Sequence, residues 1–245
     1  MIKLNKPKFW DKKNISFFSV LLIPITLLTL LIIILKKKLS KTNFFKIPVI
    51  CVGNIYLGGT GKTPVSLLIA KELLKLGKKP VLLRKYYRSH NDEFDQIKHN
   101  FKDLIINKNR SDGINEAEKN GYNTVILDDG LQDYKIKKDL KIVCFHQNQL
   151  IGNGLVIPSG PLRETLSALK DVDIILINGE KDAIFEKKIL KYNKKLEIFY
   201  FSYKPIMTED FKNRTLFALA AIGNPENFFK LLKENNLRVE KEISF

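Results

Sequence analysis

A continuous apolar run, IPVICVGN at residues 47–54, leads into IYLGGTGKTP and then into a helical pattern. Few folds satisfy all three parts. An uninterrupted apolar strand belongs inside a parallel sheet, covered on both faces. Beyond the turn, Val65, Leu68, Ile69, Leu73 and Leu76 recur at helical spacing, with Pro64 suited to the first turn and Gly77 to the end. Strand, glycine-rich turn and helix in that order gather backbone N–H groups at a helix N-terminus, where an anion is held. The strict pattern G-x-x-x-x-G-K-[ST] is broken once, by Tyr56 where the first glycine belongs. Gly58, Gly59 and Gly61 still fill the positions where the backbone turns tightly or approaches a phosphate. The expectation is a nucleotide loop formed by Tyr56, Leu57, Gly58, Gly59, Thr60, Gly61, Lys62 and Thr63. Lys62 would reach the β- and γ-phosphates of ATP, and the Thr63 hydroxyl would bind Mg²⁺. The competing reading is a glycine-rich structural turn.

Further apolar runs follow: KPVLLR (79–84), NTVILDD (123–129), LKIVCF (140–145), DIILIN (173–178), EIFYF (197–201) and TLFALAAIG (215–223). Helical patterns fall between several of them, including one near Pro161 and one near Pro225. This alternation predicts an α/β fold, a doubly wound, mainly parallel sheet of the P-loop NTPase kind. Residues 86–120 are polar and less regular, either a loop-rich substrate region or a surface insertion. NTVILDD ends in two carboxylates, and a carboxylate at the end of a neighbouring strand is what the loop's Mg²⁺ requires. Asp128 is the candidate metal ligand; Asp129 is a second ligand, a supporting partner or a turn former.

Residues 15–35 (ISFFSVLLIPITLLTLLIIIL) carry no charge, and Lys36, Lys37 and Lys38 follow. The run is long enough to cross a hydrocarbon core of about 30 Å and too long for a signal peptide. It predicts a membrane helix, spanning or obliquely inserted, with Pro24 able to kink it. Two domains are expected: residues 1–40, the basic flank and membrane helix, and residues 41–245, the catalytic body. The net charge of +16 fits an anionic partner, whether a lipid surface or a phosphorylated substrate. A lysine-rich bias spread over solvated surface is the plainer account. No groove-reading or aromatic RNA-binding motif supports a nucleic-acid role. Cys51 and Cys144 lie in apolar runs and read as core residues of a reduced compartment. His90, His99 and His146 have no metal-ligand spacing.

Together, VGNIYLGGTGKTP, ILDDGLQ, GNGLVIPSGPLRE (152–164) and AIGNPENFF (221–229) resemble the tetraacyldisaccharide 4′-kinases, inner-membrane kinases of lipid A synthesis. The resemblance runs along nearly the whole chain. In that family too the loop reads GG-x-GKT without the usual first glycine. The resemblance implies transfer of the ATP γ-phosphate to the 4′-hydroxyl of a tetraacylated glucosamine disaccharide 1-phosphate, a lipid A precursor. It implies a seat on the anionic surface of the bacterial inner membrane, with the catalytic domain on the cytoplasmic face. By motif, Lys62 and the loop amides would hold ATP, and Thr63 and Asp128 would hold Mg²⁺, with Glu164 of GPLRE also organising the metal. Asp92 in HNDEFDQI takes the place of the family's catalytic aspartate, and Arg110 and Arg163 are candidate phosphate contacts.

Departures accompany the match. Residues 83–87 read LRKYY where the family has S-R-G-Y-G, Asn91 replaces a glycine, and Asp133 stands where many members have histidine. The family's next motif, resembling F-P-D-H-H, would fall beyond Phe245, and with it the histidine that partners the catalytic aspartate. Two rivals to the kinase remain at this point: a membrane-associated NTPase and a nucleotide-binding pseudokinase scaffold.

Overall fold

A computed structural model describes residues 6–12, 14–87, 91–204, 208–221 and 225–244. The chain divides into two compact units, residues 1–200 and 201–245.

Strand β1 (Val49–Gly53) is the expected buried strand, and α3 (Lys62–Lys75) is the expected helix after the loop. Two backbone bonds end α3 as its glycine foretells: Lys78 N–H donates to the Leu73 carbonyl and Gly77 N–H to the Leu74 carbonyl. Strands β2 (Pro80–Lys85), β3 (Leu104–Asn107), β4 (Thr124–Asp128), β5 (Leu140–His146), β6 (Ile174–Asn178) and β7 (Glu197–Phe201) complete a seven-stranded sheet. Its order is β3-β2-β4-β1-β5-β6-β7, and β1 to β6 pair in parallel. The mainly parallel α/β expectation is therefore met. The chain moves from β1 outward to β2 and β3, returns to β4 beside β1, then crosses to β5. The order reverses at β1, and ligands of open α/β sheets bind in the crevice beyond such a reversal. β4 is buried at every position, because helices cover both faces of the central strands.

Residues 86–120 are more regular than the sequence suggests. They contain α4 (Asn91–Asn100), edge strand β3 and α5 (Arg110–Lys119). At an edge, four residues suffice for a strand, and only Ile105 of β3 is buried, so the apolar signal was too short to read. Helix α6 (Ala183–Leu190) begins at Asp182, whose carboxylate accepts from Phe185 N–H. The helix expected near Pro161 is corrected. Leu162 bridges to Tyr56 and Val156, so the chain there is extended, and only a 3₁₀ helix follows at Leu166–Asp171.

The single membrane helix expected over residues 15–35 is also corrected. The run forms two helices, α1 (Phe17–Leu21) and α2 (Ile23–Leu39). Pro24 cannot donate to the carbonyl four residues back, and its ring crowds that carbonyl, so the helix breaks around Leu22. No helix among the described residues is long and apolar enough to cross a membrane. Polar groups fix both pieces to the body. The Thr26 hydroxyl donates to Ser159 Oγ at 2.7 Å, and Asn153 donates to Ser19 Oγ at 3.1 Å. Leu30 and Ile33 pack on the main core. The outer face stays bare: Phe17, Phe18, Val20, Leu21, Leu27 and Leu28 are exposed.

In the second unit, β8 (Thr215–Ala220) and β9 (Arg238–Ser244) pair in parallel, joined by α7 (Pro225–Glu234). Ala218, Ala220 and Phe229 form its small core. Helix α7 starts at Pro225 as expected; Ile222, Gly223 and Asn224 of the quoted motif lie outside the described residues.

Candidate active site

The loop after β1 is built from the inside. Asn54 is fully buried, and its Nδ2 donates to the Gly58 carbonyl at 3.1 Å and to Thr60 Oγ1 at 2.9 Å. That one side chain folds the loop across itself and buries Thr60. Gly58 (φ 143°) and Gly61 (φ 86°) take conformations that a Cβ resists, and Gly61 caps α3. The first turn of α3 thus opens onto the loop with its N–H groups forward, a site suited to phosphate. Leu57 and Tyr56 contribute differently. Leu57 N–H is spent on the Pro161 carbonyl at 2.7 Å, and the Tyr56 side chain is wholly buried beneath the loop.

Lys62 and Thr63, the first two residues of α3, meet the end of β4. Thr63 Oγ1 donates to Asp128 Oδ2 at 2.9 Å, and Ser66 Oγ to Asp128 Oδ1 at 3.3 Å. Lys62 Nζ lies 3.9 Å from Asp129 Oδ2. Burial lowers the Lys62 ammonium pKa, opposed by the Asp129 charge. Burial raises the Asp128 carboxyl, opposed chiefly by Arg84. Burial would also raise Asp129, yet the Lys62 and Arg163 charges and the Arg163 hydrogen bond hold it below the ordinary carboxylate value.

Asp129 is the hub of a cationic ring. Its backbone is left-handed (φ 62°), and Arg110 donates to its carbonyl at 2.6 Å. Arg163 donates to its carboxylate at 2.8 Å. The two candidate phosphate arginines are therefore not surface cations; they converge on the loop after β4. Arg110 also pairs with Asp133 at 3.4 Å, which gives the unusual aspartate after DDGLQ a partner. Lys138 pins the same loop from within, donating to the carbonyls of Leu131 and Asp133.

Sequence reasoning missed Arg84, whose Nε stands 3.3 Å from Asp128 Oδ2. The signal was its place at the end of β2, directly opposite Asp128 in the register that pairs Leu83 with Leu127. It also missed Ser66, one turn beyond Thr63, and Gln132, which donates to the Asn54 carbonyl. Glu164 is buried, and its Oε2 accepts from the Tyr134 hydroxyl at 2.8 Å. No hydrogen bond among the described residues joins it to Thr63 or Asp128, and no three acidic, histidine or cysteine side chains among them group as metal ligands. Asp92 falls in the first turn of α4, and its side chain lies outside the described residues.

The donor set suits Mg²⁺ in the way a phosphate loop does. One hydroxyl and one buried carboxylate, both hard oxygens, meet beside a lysine and leave the other positions to phosphate and water. Arg163 Nε and Glu164 Oε1 are buried with no hydrogen-bond partner among the described residues, so polar capacity is left over near the loop.

A parallel sheet reversing at β1, a glycine loop capping the next helix and an aspartate on the adjacent strand define a P-loop nucleotide-binding protein. The particular branch follows from wider comparison. Residues 18–245 match the model of the tetraacyldisaccharide-1-P 4′-kinase family, and the chain belongs to that family. It is 39% identical to the tetraacyldisaccharide 4′-kinase of Pelagibacter ubique, over 100% of this chain and 78% of that protein. It is 33% identical to that of Francisella philomiragia, over 96% of this chain and 84% of the relative. The fold resembles the solved "apo" form of LpxK from Aquifex aeolicus in complex with ATP. That likeness has a TM-score of 0.72 at 23% identity, covering 94% of this chain and 82% of the other.

Proposed function

We propose that this protein is an ATP-dependent kinase that phosphorylates the 4′-hydroxyl of a tetraacyldisaccharide 1-phosphate on the way to lipid A. One observation carries the reading: Lys62, Thr63 and Asp128 meet at the mouth of the glycine loop, in a chain of this kinase family. The loop amides and Lys62 bind the nucleotide's phosphates. Thr63 and Asp128 hold Mg²⁺, which neutralises charge on the phosphates when bound. Arg84 and Ser66 fix the Asp128 carboxylate, and Arg163 holds Asp129 beside Lys62. Glu164 lies one residue from Arg163, and its unpartnered oxygen supports a place in the same polar wall. Asp92 takes the proton of the acceptor hydroxyl, a role that rests on the family motif. Burial of Lys62 and Asp128 lowers the local dielectric, so each contact with a phosphate is stronger than it would be in water.

We place the enzyme on the cytoplasmic face of the bacterial inner membrane. The bare apolar face of α1 and α2, followed by Lys36, Lys37 and Lys38, supports a seat in the interface rather than a crossing. The deciding assay is transfer of labelled γ-phosphate from ATP to a tetraacyldisaccharide 1-phosphate in mixed micelles. Label in the lipid is expected; ATP hydrolysis unaffected by the lipid would mark an NTPase instead.

A further inference from the structure

Tyr56, the residue that breaks the strict loop pattern, ties the nucleotide loop to the extreme N-terminal part of the chain. Its ring is fully buried, 3.5 Å from where a Cβ on Gly58 would stand, so it forms the floor under the loop's first turn. Its hydroxyl donates to Asp11 Oδ1 and accepts from Lys6 Nζ at 2.9 Å. Lys6 and Asp11 form an ion pair at 2.6 Å. The segment carrying them is itself anchored. Trp10 Nε1 donates to the Pro158 carbonyl at 3.0 Å, and the Trp10 carbonyl accepts from Asn153 N–H at 2.8 Å. The looped stretch 153–163 that holds Trp10 also holds the loop entrance, through the Leu57 bond to Pro161 and the Arg163 N–H bond to the Ile55 carbonyl.

The loop therefore has two fixed ends. Its exit is locked by α3, a regular helix. Its entrance has no helix and is held by these contacts. A glycine at position 56 would leave the floor empty and the entrance untied. A phenylalanine would fill the floor and lose the tie. The Lys6 and Asp11 side chains are about a third exposed (34% and 38%), so the cluster is not core packing. Only the ring is.

We infer that the Tyr56–Asp11–Lys6 cluster is a positioning contact for the phosphate loop, which makes residues 6–11 a working part of the nucleotide site. The inference rests on the nucleotide-binding role proposed above. None of the three side chains needs to touch ATP. They set where the loop amides stand before the nucleotide arrives, and a loop free to shift must be ordered at the expense of binding.

The test is calorimetric titration of the intact protein with ATP and Mg²⁺, for wild type, Tyr56→Phe, Asp11→Ala and the double variant, with thermal melts of each. Each single variant should weaken ATP binding about three- to tenfold, the range of one ordinary hydrogen bond, because the tie acts on the loop rather than on the nucleotide itself. The double variant should be no worse than the poorer single one, because both remove the same tie. In turnover, KM for ATP should rise with kcat little changed, the pattern of lost nucleotide binding. Wild-type affinity in Tyr56→Phe would overturn the inference. So would losses that add in the double variant and track a falling melting temperature, since these mark simple packing. Wild-type protein that binds no ATP would instead overturn the nucleotide-binding reading beneath it.

Discussion

Lys62 and Asp128 can be tested separately because they serve different partners. Lys62 pairs with Asp129 only at the long distance of 3.9 Å, so it adds little to the fold and can turn to phosphate. Lys62→Ala should lower phosphate transfer by about 10²- to 10³-fold, the scale of one preorganised charge contact, with the melting temperature nearly unchanged. Asp128→Asn keeps the shape but removes the charge that Thr63, Ser66 and Arg84 surround. Its transfer rate should need a higher Mg²⁺ concentration to saturate. Wild-type Mg²⁺ titration curves would remove Asp128 from the metal site. The two cysteines give a third test at this scale. Burial pushes the Cys51 thiol up to about 11 and the Cys144 thiol up to about 12. At pH 8 neither carries appreciable thiolate, and neither is accessible. Iodoacetamide should leave the folded protein unlabelled and add two carbamidomethyl groups once it is denatured, as read by intact mass.

Between elements, the critical contact is the crossing of the β4 loop over the end of β1. A Cβ on Gly53 would lie 2.6 Å from Leu131 Cβ and 3.4 Å from its backbone nitrogen. Neither atom is the end of a flexible chain, so the loop must move. Gly53→Ala should destabilise the protein by about 1–3 kcal/mol, the usual cost of overpacking a core. It should also weaken ATP binding, because the same loop carries Asp129 and the Gln132 bond to Asn54. Denaturant unfolding and nucleotide titration of this one variant read both effects. Unchanged stability would mean that the β4 loop yields at no cost.

On the scale of the whole molecule, the proposed seat on an anionic bilayer depends on a surface that the fold does not bury. Leu21 and Leu28 are 63% and 58% exposed. Placing charge there should spare the fold and oppose insertion. Leu21→Asp with Leu28→Asp should cut co-sedimentation with anionic phospholipid vesicles by about tenfold or more, each lost leucine contact being worth about 1.5–3 kcal/mol. The melting temperature in detergent-free buffer should hold. High salt alone should weaken wild-type binding only in part, since it screens the lysines and leaves the apolar contact intact. Equal sedimentation of wild type and variant would argue against these helices as the membrane contact.

The sequence by itself determined the local and periodic features. β1, the loop, α3 with its glycine stop, β4 ending in Asp128 and the parallel α/β class were legible because each depends on near neighbours along the chain. The family was legible for the same reason, since its motifs are short and contiguous. The break in the N-terminal run was half legible: Pro24 was visible, but whether it bends or ends a helix depends on what holds the two pieces. Here the holds are Ser19 and Thr26 against the body. Only the tertiary structure decided that Arg84, Arg110 and Arg163 arrive from three separate stretches at Asp128 and Asp129. A lone arginine in a sequence looks like any surface cation. Its role is set by strand register and loop closure, which bring residues far apart in the chain within reach of one carboxylate. Tyr56 makes the same point. In the sequence it is a missing glycine; in the fold its ring fills a floor that residues 6–11 help to hold.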